Sequence, residues 1–278
     1  MIEQVSINMI FSVILGSIAA AVQASSFDWN YGTLSLWHSE NAYCSPETYT
    51  TRTNKGVLEG FVATYAINDP SHDTHGVIGY TSSQSAIYVS FRGSESIQNW
   101  VDNLDAVLTS YPACANCEVH DGFYRAEQGV IGNVLSEVKS LKQKFPSYSV
   151  IVTGHSLGAA LATLTTLDLV NNGVAGVRMF NFGCPRVGNT EFAEYASSRI
   201  PDHSRVTHHK DMVVHTPMHE RFTHLSHEWY QATDDVNVVE CSGYEDPNCS
   251  YQWHITSIDD HLYYLGVVMG TGGCSEIL

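Results

Sequence analysis

Apolar and polar positions follow two periods along this chain. Residues 76–80 and 86–91 are short runs rich in Val, Ile, Tyr and Phe around a serine-rich turn, and both read as strands. From 123 to 145 the period lengthens. Val130, Ile131, Val134, Leu135, Val138 and Leu141 recur at three and four, which predicts one helix ended by Pro146. Lys139, Lys142 and Lys144 suit its C-terminal dipole, whereas Gly129 and Gly132 weaken its first half. Residues 149–153 form a β-rich run with no polar face, as a central parallel strand requires. A second helix is expected over 159–170, closed by Asn171-Asn172-Gly173, and further strands over 177–182 and 204–208. Strands alternating with helices of about a dozen residues predict an α/β protein with a doubly wound, mostly parallel sheet. No repeat, low-complexity stretch or Pro/Gly/Ser linker divides the chain, so one domain over 25–278 is the simplest reading.

Residues 7–22 form an apolar run broken only by small or weakly polar residues, with Val22 and Ala24 as the small pair before a cleavage site. Residues 1–24 therefore read as a secretory signal, although the n-region carries Glu3 and no Lys or Arg. A membrane anchor is disfavoured because a spanning helix needs roughly 18–20 apolar residues.

Composition narrows the class. The 278 residues include 15 Tyr, 10 Phe and 5 Trp, too many aromatics for a disordered chain. Thirteen Lys+Arg against 29 Asp+Glu give a net charge of −16, which repels polyanions and anionic membranes; nucleic acid and stable membrane insertion are not expected. Seven cysteines, all beyond the signal, suit export and allow at most three bridges. Cys114-Ala115-Asn116-Cys117 has no second half-site at zinc spacing, so a short structural bridge is the preferred reading.

The sharpest chemical feature is Gly154-His155-Ser156-Leu157-Gly158, a G-x-S-x-G between a buried strand and a helix. A serine on such a turn projects above the sheet at the positive end of the helix, beside the Leu157 N–H, an oxyanion donor. A nucleophilic serine needs a base and an orienting acid, in the chain order Ser, Asp or Glu, His. Acids after Ser156 include Asp202, Asp211, Asp234, Asp235, Asp246, Asp259 and Asp260. Histidines include His203, His208, His209, His215, His219, His224, His227, His254 and His261. Order favours His254 or His261 as the base. Asp211 follows a strand, where catalytic side chains collect in such sheets.

Seven motifs occur in order: Phe91-Arg92-Gly93-Ser94, Ile97-Gln98-Asn99-Trp100, His120-Asp121-Gly122-Phe123, Gly154-His155-Ser156-Leu157-Gly158-Ala159, Gly183-Cys184-Pro185-Arg186-Val187-Gly188, Asp211 to Pro217, and Asp260-His261-Leu262. Over nearly all of the mature chain this resembles the secreted fungal class 3 lipases, the Rhizomucor-type triacylglycerol lipases related to feruloyl esterases. The resemblance implies an α/β-hydrolase fold, with Ser156 as nucleophile, Asp211 as acid and His261 as base. Ser94 and Leu157 would donate to the oxyanion, with no metal or organic cofactor. It also implies the bridges Cys44–Cys274, Cys114–Cys117 and Cys241–Cys249, leaving Cys184 as a buried thiol.

Ile97, Trp100, Val101 and Leu104 fall at i, i+3, i+4 and i+7, so 96–105 is expected to be an amphipathic helix. It follows Ser94 and reads as a lid that an oil–water interface would open. The expected function is hydrolysis of acylglycerol esters outside the cell. A feruloyl esterase or phospholipase A1 of the same fold is the alternative. An inactive secreted binding protein is disfavoured by the intact Ser, Asp and His positions.

Overall fold

This computed structural model describes residues 26–278 apart from 219, 234 and 235. The expected signal 1–24, and the candidates His219, Asp234 and Asp235, lie outside the described residues. Helix α1 (Trp29–Asn41) is capped by Asp28, whose carboxylate accepts from the Tyr31 N–H at 3.1 Å. An antiparallel meander follows: β1 (Phe61–Asp69), β2 (Thr74–Thr81) and β3 (Ala86–Phe91). After the short helix α2 (Ile97–Asn103) come α3 (Asp121–Gln128) and α4 (Ile131–Lys144). The chain then alternates: β4 (Ser149–His155), α5 (Leu157–Asn171), β5 (Val177–Phe182), α6 (Thr190–Arg199) and β6 (His203–His208). β7 (Glu228–Gln231) and β8 (Val239–Glu240) complete one eight-stranded sheet in the order β1 to β8. The pairings from β3 to β7 are parallel and the outer ones antiparallel.

Both faces of the central strands are covered, which is why they lack a polar face. Tyr88 and Ile151 pack on one side with Leu36 of α1 and with Tyr264. Their neighbours Ile87, Val89, Val150 and Val152 pack on the other with Val134 and Val138 of α4 and Leu161 of α5. α5 is apolar on nearly every side and buried along its length, as such a helix must be.

The structure corrects one expected element. The helix over 123–145 is two helices, α3 and α4, separated at Gly129 and Val130. Gly129 is still helical, with its Cα hydrogen packed where a Cβ would collide with the Asp69 carboxylate, and the break comes at Val130, whose φ of −122° leaves the helical region. Disulfides join Cys44 to Cys274, Cys114 to Cys117 and Cys241 to Cys249. The first ties α1 to the C-terminal segment across 230 residues of sequence. Cys184 is free and buried, and burial pushes its thiol up to about 12.

Candidate active site

The site is built where parallel strands end. Phe91 of β3 pairs with Gly154 of β4, so both chains leave the sheet at the same edge. The loop carrying Ser94 therefore starts beside the turn carrying Ser156. That turn has room for nothing larger than glycine on either side. A Cβ at Gly154 would run into the Gly158 carbonyl, and one at Gly158 into the Phe91 carbonyl. Ser156, between β4 and α5, is held at φ 61° and ψ −132°, a strained conformation for a residue with a side chain. Its N–H is anchored to the Phe182 carbonyl at 3.0 Å.

Asp211 lies just beyond β6. A single parallel bridge, Asp211 to Ser257, brings the C-terminal segment alongside it. The Met212 N–H donates to the Ser257 carbonyl at 3.1 Å, and the Ser257 N–H to the Lys210 carbonyl at 2.8 Å. This places His261 Nδ1 2.8 Å from Asp211 Oδ2. Asp211 Oδ1 accepts the Val213 N–H at 2.7 Å, and Tyr264 donates its hydroxyl to Oδ2. Burial alone would raise the Asp211 carboxyl, but His261 and these hydrogen bonds outweigh it and hold it below the usual carboxylate range. An ionised Asp211 can only accept, so His261 carries its proton on Nδ1 and presents a lone pair on Nε2.

Ser156, His261 and Asp211 are completely buried. Neither Ser156 Oγ nor His261 Nε2 has a hydrogen-bond partner. Catalytic hydrogen bonds in sites without substrate are often open and tighten only when substrate arrives. His254, the other late histidine, is exposed. Asp246 is engaged with Ser242 and Asn248, and Asp202 with Arg178. Asp260 holds the Lys210 N–H, and His203, His215 and His224 bond backbone carbonyls.

Leu157 is the first residue of α5, with its N–H at the open helix end. Ser94 is partly buried and lines a cleft of about 330 Å³ with Tyr43, Ile97, Leu262 and Thr271. The helix expected as a lid is α2, whose Ile97 lines that cleft. It spans Ile97–Asn103, shorter than the expected 96–105, with Leu104 already extended as its C-cap. Ile97 is buried, and Trp100, Val101 and Leu104 are partly so, while Gln98, Asn99, Asp102 and Asn103 face solvent. Trp100 stacks on Phe123 with ring centroids 6.1 Å apart. Val101 and Leu104 line a second groove of about 320 Å³ with Pro217, Met218 and Phe222.

Sequence reasoning did not single out Tyr43, His155 or Tyr264. His155 was in view inside the motif, and Tyr264 stands three residues after His261. Nothing in the sequence near Tyr43 points to the site.

A strained serine between a parallel strand and a buried helix, with an Asp just beyond a later strand paired to a His of the C-terminal segment, defines an α/β hydrolase. The chain matches the model of the lipase (class 3) family over residues 88–221. It is 35% identical over 212 residues to a lipase of Rhizomucor miehei, covering 73% of this chain and 58% of that protein's own length. It is 31% identical over 216 residues to the secreted mono- and diacylglycerol lipase A of Penicillium cyclopium, covering 74% and 70%. A solved structure described as a triacylglycerol lipase whose catalytic centre is a serine protease triad superposes with a TM-score of 0.81 at 32% identity, covering 89% of this chain and 97% of that one. The chain belongs to the class 3 lipase family.

Proposed function

We propose that this protein hydrolyses carboxylic ester bonds of acylglycerols outside the cell, through a Ser156–His261–Asp211 triad and an acyl-enzyme. The observation that carries the reading is the His261–Asp211 pair. It leaves Nε2 as a base, and both Nε2 and the Oγ of the strained Ser156 are buried without a partner. His261 Nε2 takes the serine proton as Oγ attacks the ester carbonyl. The N–H groups of Ser94 and Leu157 hold the oxyanion. His261 returns the proton to the departing alcohol, then activates water to release the acid. Asp211 keeps the imidazole in the required tautomer and stabilises its charged form. The relatives support acylglycerols as the substrate class, one being named a mono- and diacylglycerol lipase and a matched structure a triacylglycerol lipase. The second relative is also named as secreted.

With Ser156 and His261 sealed from solvent, the described state is closed, and α2 is the element that must move to admit a long acyl chain. Exposing its apolar face costs free energy in water and little at an oil surface. Interfacial opening follows.

A p-nitrophenyl alkylphosphonate should label Ser156, read by peptide mass spectrometry, and labelling should abolish tributyrin hydrolysis. No labelling would leave a non-catalytic binding protein. A faster rate on methyl ferulate than on emulsified triglyceride would move the assignment to a feruloyl esterase.

A further inference from the structure

The residue between Gly154 and Ser156 is a histidine that the reaction does not use. It is fully buried, and both of its nitrogens are engaged. His155 Nε2 lies 2.9 Å from the His261 backbone carbonyl, and Nδ1 lies 2.8 Å from the Tyr43 hydroxyl. Its ring also stacks on the ring of His261, with centroids 4.3 Å apart and planes 28° apart.

These contacts fix every proton. A carbonyl oxygen can only accept, so His155 carries a hydrogen on Nε2. Burial, with His261 beside it, pulls its pKa down to about 3, so the ring is neutral and Nδ1 holds a lone pair. Tyr43 must therefore donate to Nδ1. Its oxygen is also packed against Gly93, the residue just before Ser94, so closely that a Cβ there would collide with it. The chain runs from the Tyr43 hydroxyl, packed against Gly93, to His155 Nδ1, and from His155 Nε2–H to the His261 carbonyl. Because its proton is committed, the Tyr43 hydroxyl is not a third oxyanion donor, although it lies against Gly93 beside the Ser156 side chain.

We propose that Tyr43 is a positioning residue: through His155 it ties the loop bearing the oxyanion donor Ser94 to the backbone of the base His261. Two catalytic parts that belong to different segments, one after β3 and one near the C-terminus, are thereby set by one close contact at Gly93 and two hydrogen bonds. The inference rests on the triad reading above. Its chemical consequence is a loss of alignment in the transition state with little change in substrate binding, since misplaced donors and base lower turnover rather than affinity.

Tyr43→Phe removes one oxygen from the chain and leaves ring packing in place. Phosphonate titration first counts active sites, so unfolded protein drops out of the comparison. Failure of wild type to titrate would refute the triad itself; titration followed by normal turnover in Tyr43→Phe would refute only the positioning role. We expect kcat per titrated site on tributyrin to fall about tenfold, the scale of one hydrogen bond left unmade, with KM unchanged. Tyr49→Phe is the control, because Tyr49 is also buried and gives its hydroxyl to the Ala42 carbonyl outside this chain; it should keep wild-type kcat. His155→Gln, which loses the Nδ1 acceptor, should fall similarly, and Tyr43→Phe combined with it should cost little more than either alone. Additive losses in that cycle, a raised KM at unchanged kcat, or equal losses in Tyr43→Phe and Tyr49→Phe would each overturn the proposal.

Discussion

The turn around Ser156 and helix α2 border one apolar cluster, against which Leu157, Trp100 and Leu104 all pack. They are held in opposite ways. The turn has a strand of the central sheet before it, a fifteen-residue buried helix behind it and backbone pressed against both glycines. Its strain is over-determined by its surroundings. Helix α2, the proposed lid, has seven residues, makes no side-chain cap at its N-terminus and buries only Ile97 fully. A helix that short has no stability of its own and persists only by burying its apolar face. The contrast separates two tasks. Catalytic geometry is paid for once, in folding, whereas on the proposed reading access is left to an element held by few contacts.

The largest effect expected from breaking the rigid side is at the nucleophile. Ser156→Ala should lower kcat on tributyrin by about 10⁶-fold while the circular dichroism melt stays unchanged. Retention of more than about one part in a hundred of wild-type turnover would be inconsistent with a nucleophile at that position.

The base comes next. His261→Ala should approach the same loss. His254→Ala should leave kcat within about twofold of wild type, because an exposed side chain outside the site contributes little. Equal losses at both positions would unseat His261 and the path by which Ser257 carries it to Asp211.

The turn's backbone is the third target. Gly154→Ala forces a Cβ against the Gly158 carbonyl, where neither chain can give way without moving the strand or helix. A destabilisation of about 1–3 kcal/mol is expected, the scale of overpacking in a dense core. It should appear as a lower urea midpoint together with reduced turnover. An unchanged midpoint would mean that the turn is not as tightly closed as its geometry states.

The same contrast explains what could be read from the sequence. The turn was legible because strand, glycines, serine and helix all lie within a short stretch, so local pattern and chemistry coincide. The strands over 86–91 and 177–182 and the parallel sheet were legible for a similar reason: their apolar residues cover both faces. Helix α1 was not. Ser35, His38, Ser39, Glu40 and Asn41 are polar yet buried against the body of the protein. Ser39 pairs with Thr153 of β4 at 2.8 Å, and Glu40 accepts the Gly270 N–H at 2.9 Å. Hydrophobic periodicity cannot report a helix of that kind. Nor could spacing choose between His254 and His261. The meeting of Asp211 and His261 depends on a lone bridge fifty residues from the strand it extends. The likeness in motif order, not the pattern of residues, singled out His261.

The proposed lid is tested by the smallest effect. Trp100 is partly buried and stacks on Phe123, the main ring contact of α2 with the body of the protein. An aromatic pair of this kind contributes about 0.5–1.5 kcal/mol beyond area burial. Removing it in Trp100→Ser weakens the closed state by about 1 kcal/mol, which raises the open fraction in water roughly fivefold. Turnover of dissolved tributyrin, which needs an open lid but no interface, should rise by up to that factor. Above the solubility limit the effect reverses. There the open lid is held by contact between its apolar face and oil, and a serine in place of the indole loses that contact, so emulsion activity should fall. Rate against tributyrin concentration, taken through the solubility limit, shows both at once: a sharp rise at the limit in wild type and a shallower one in Trp100→Ser, starting from a higher baseline. The opposite signs are what make the test specific, since a variant that merely unfolds loses rate on both sides. Curves of the same shape for both proteins would make α2 a fixed part of the wall, as firmly held as the turn beneath it, and the difference between the two regions would disappear.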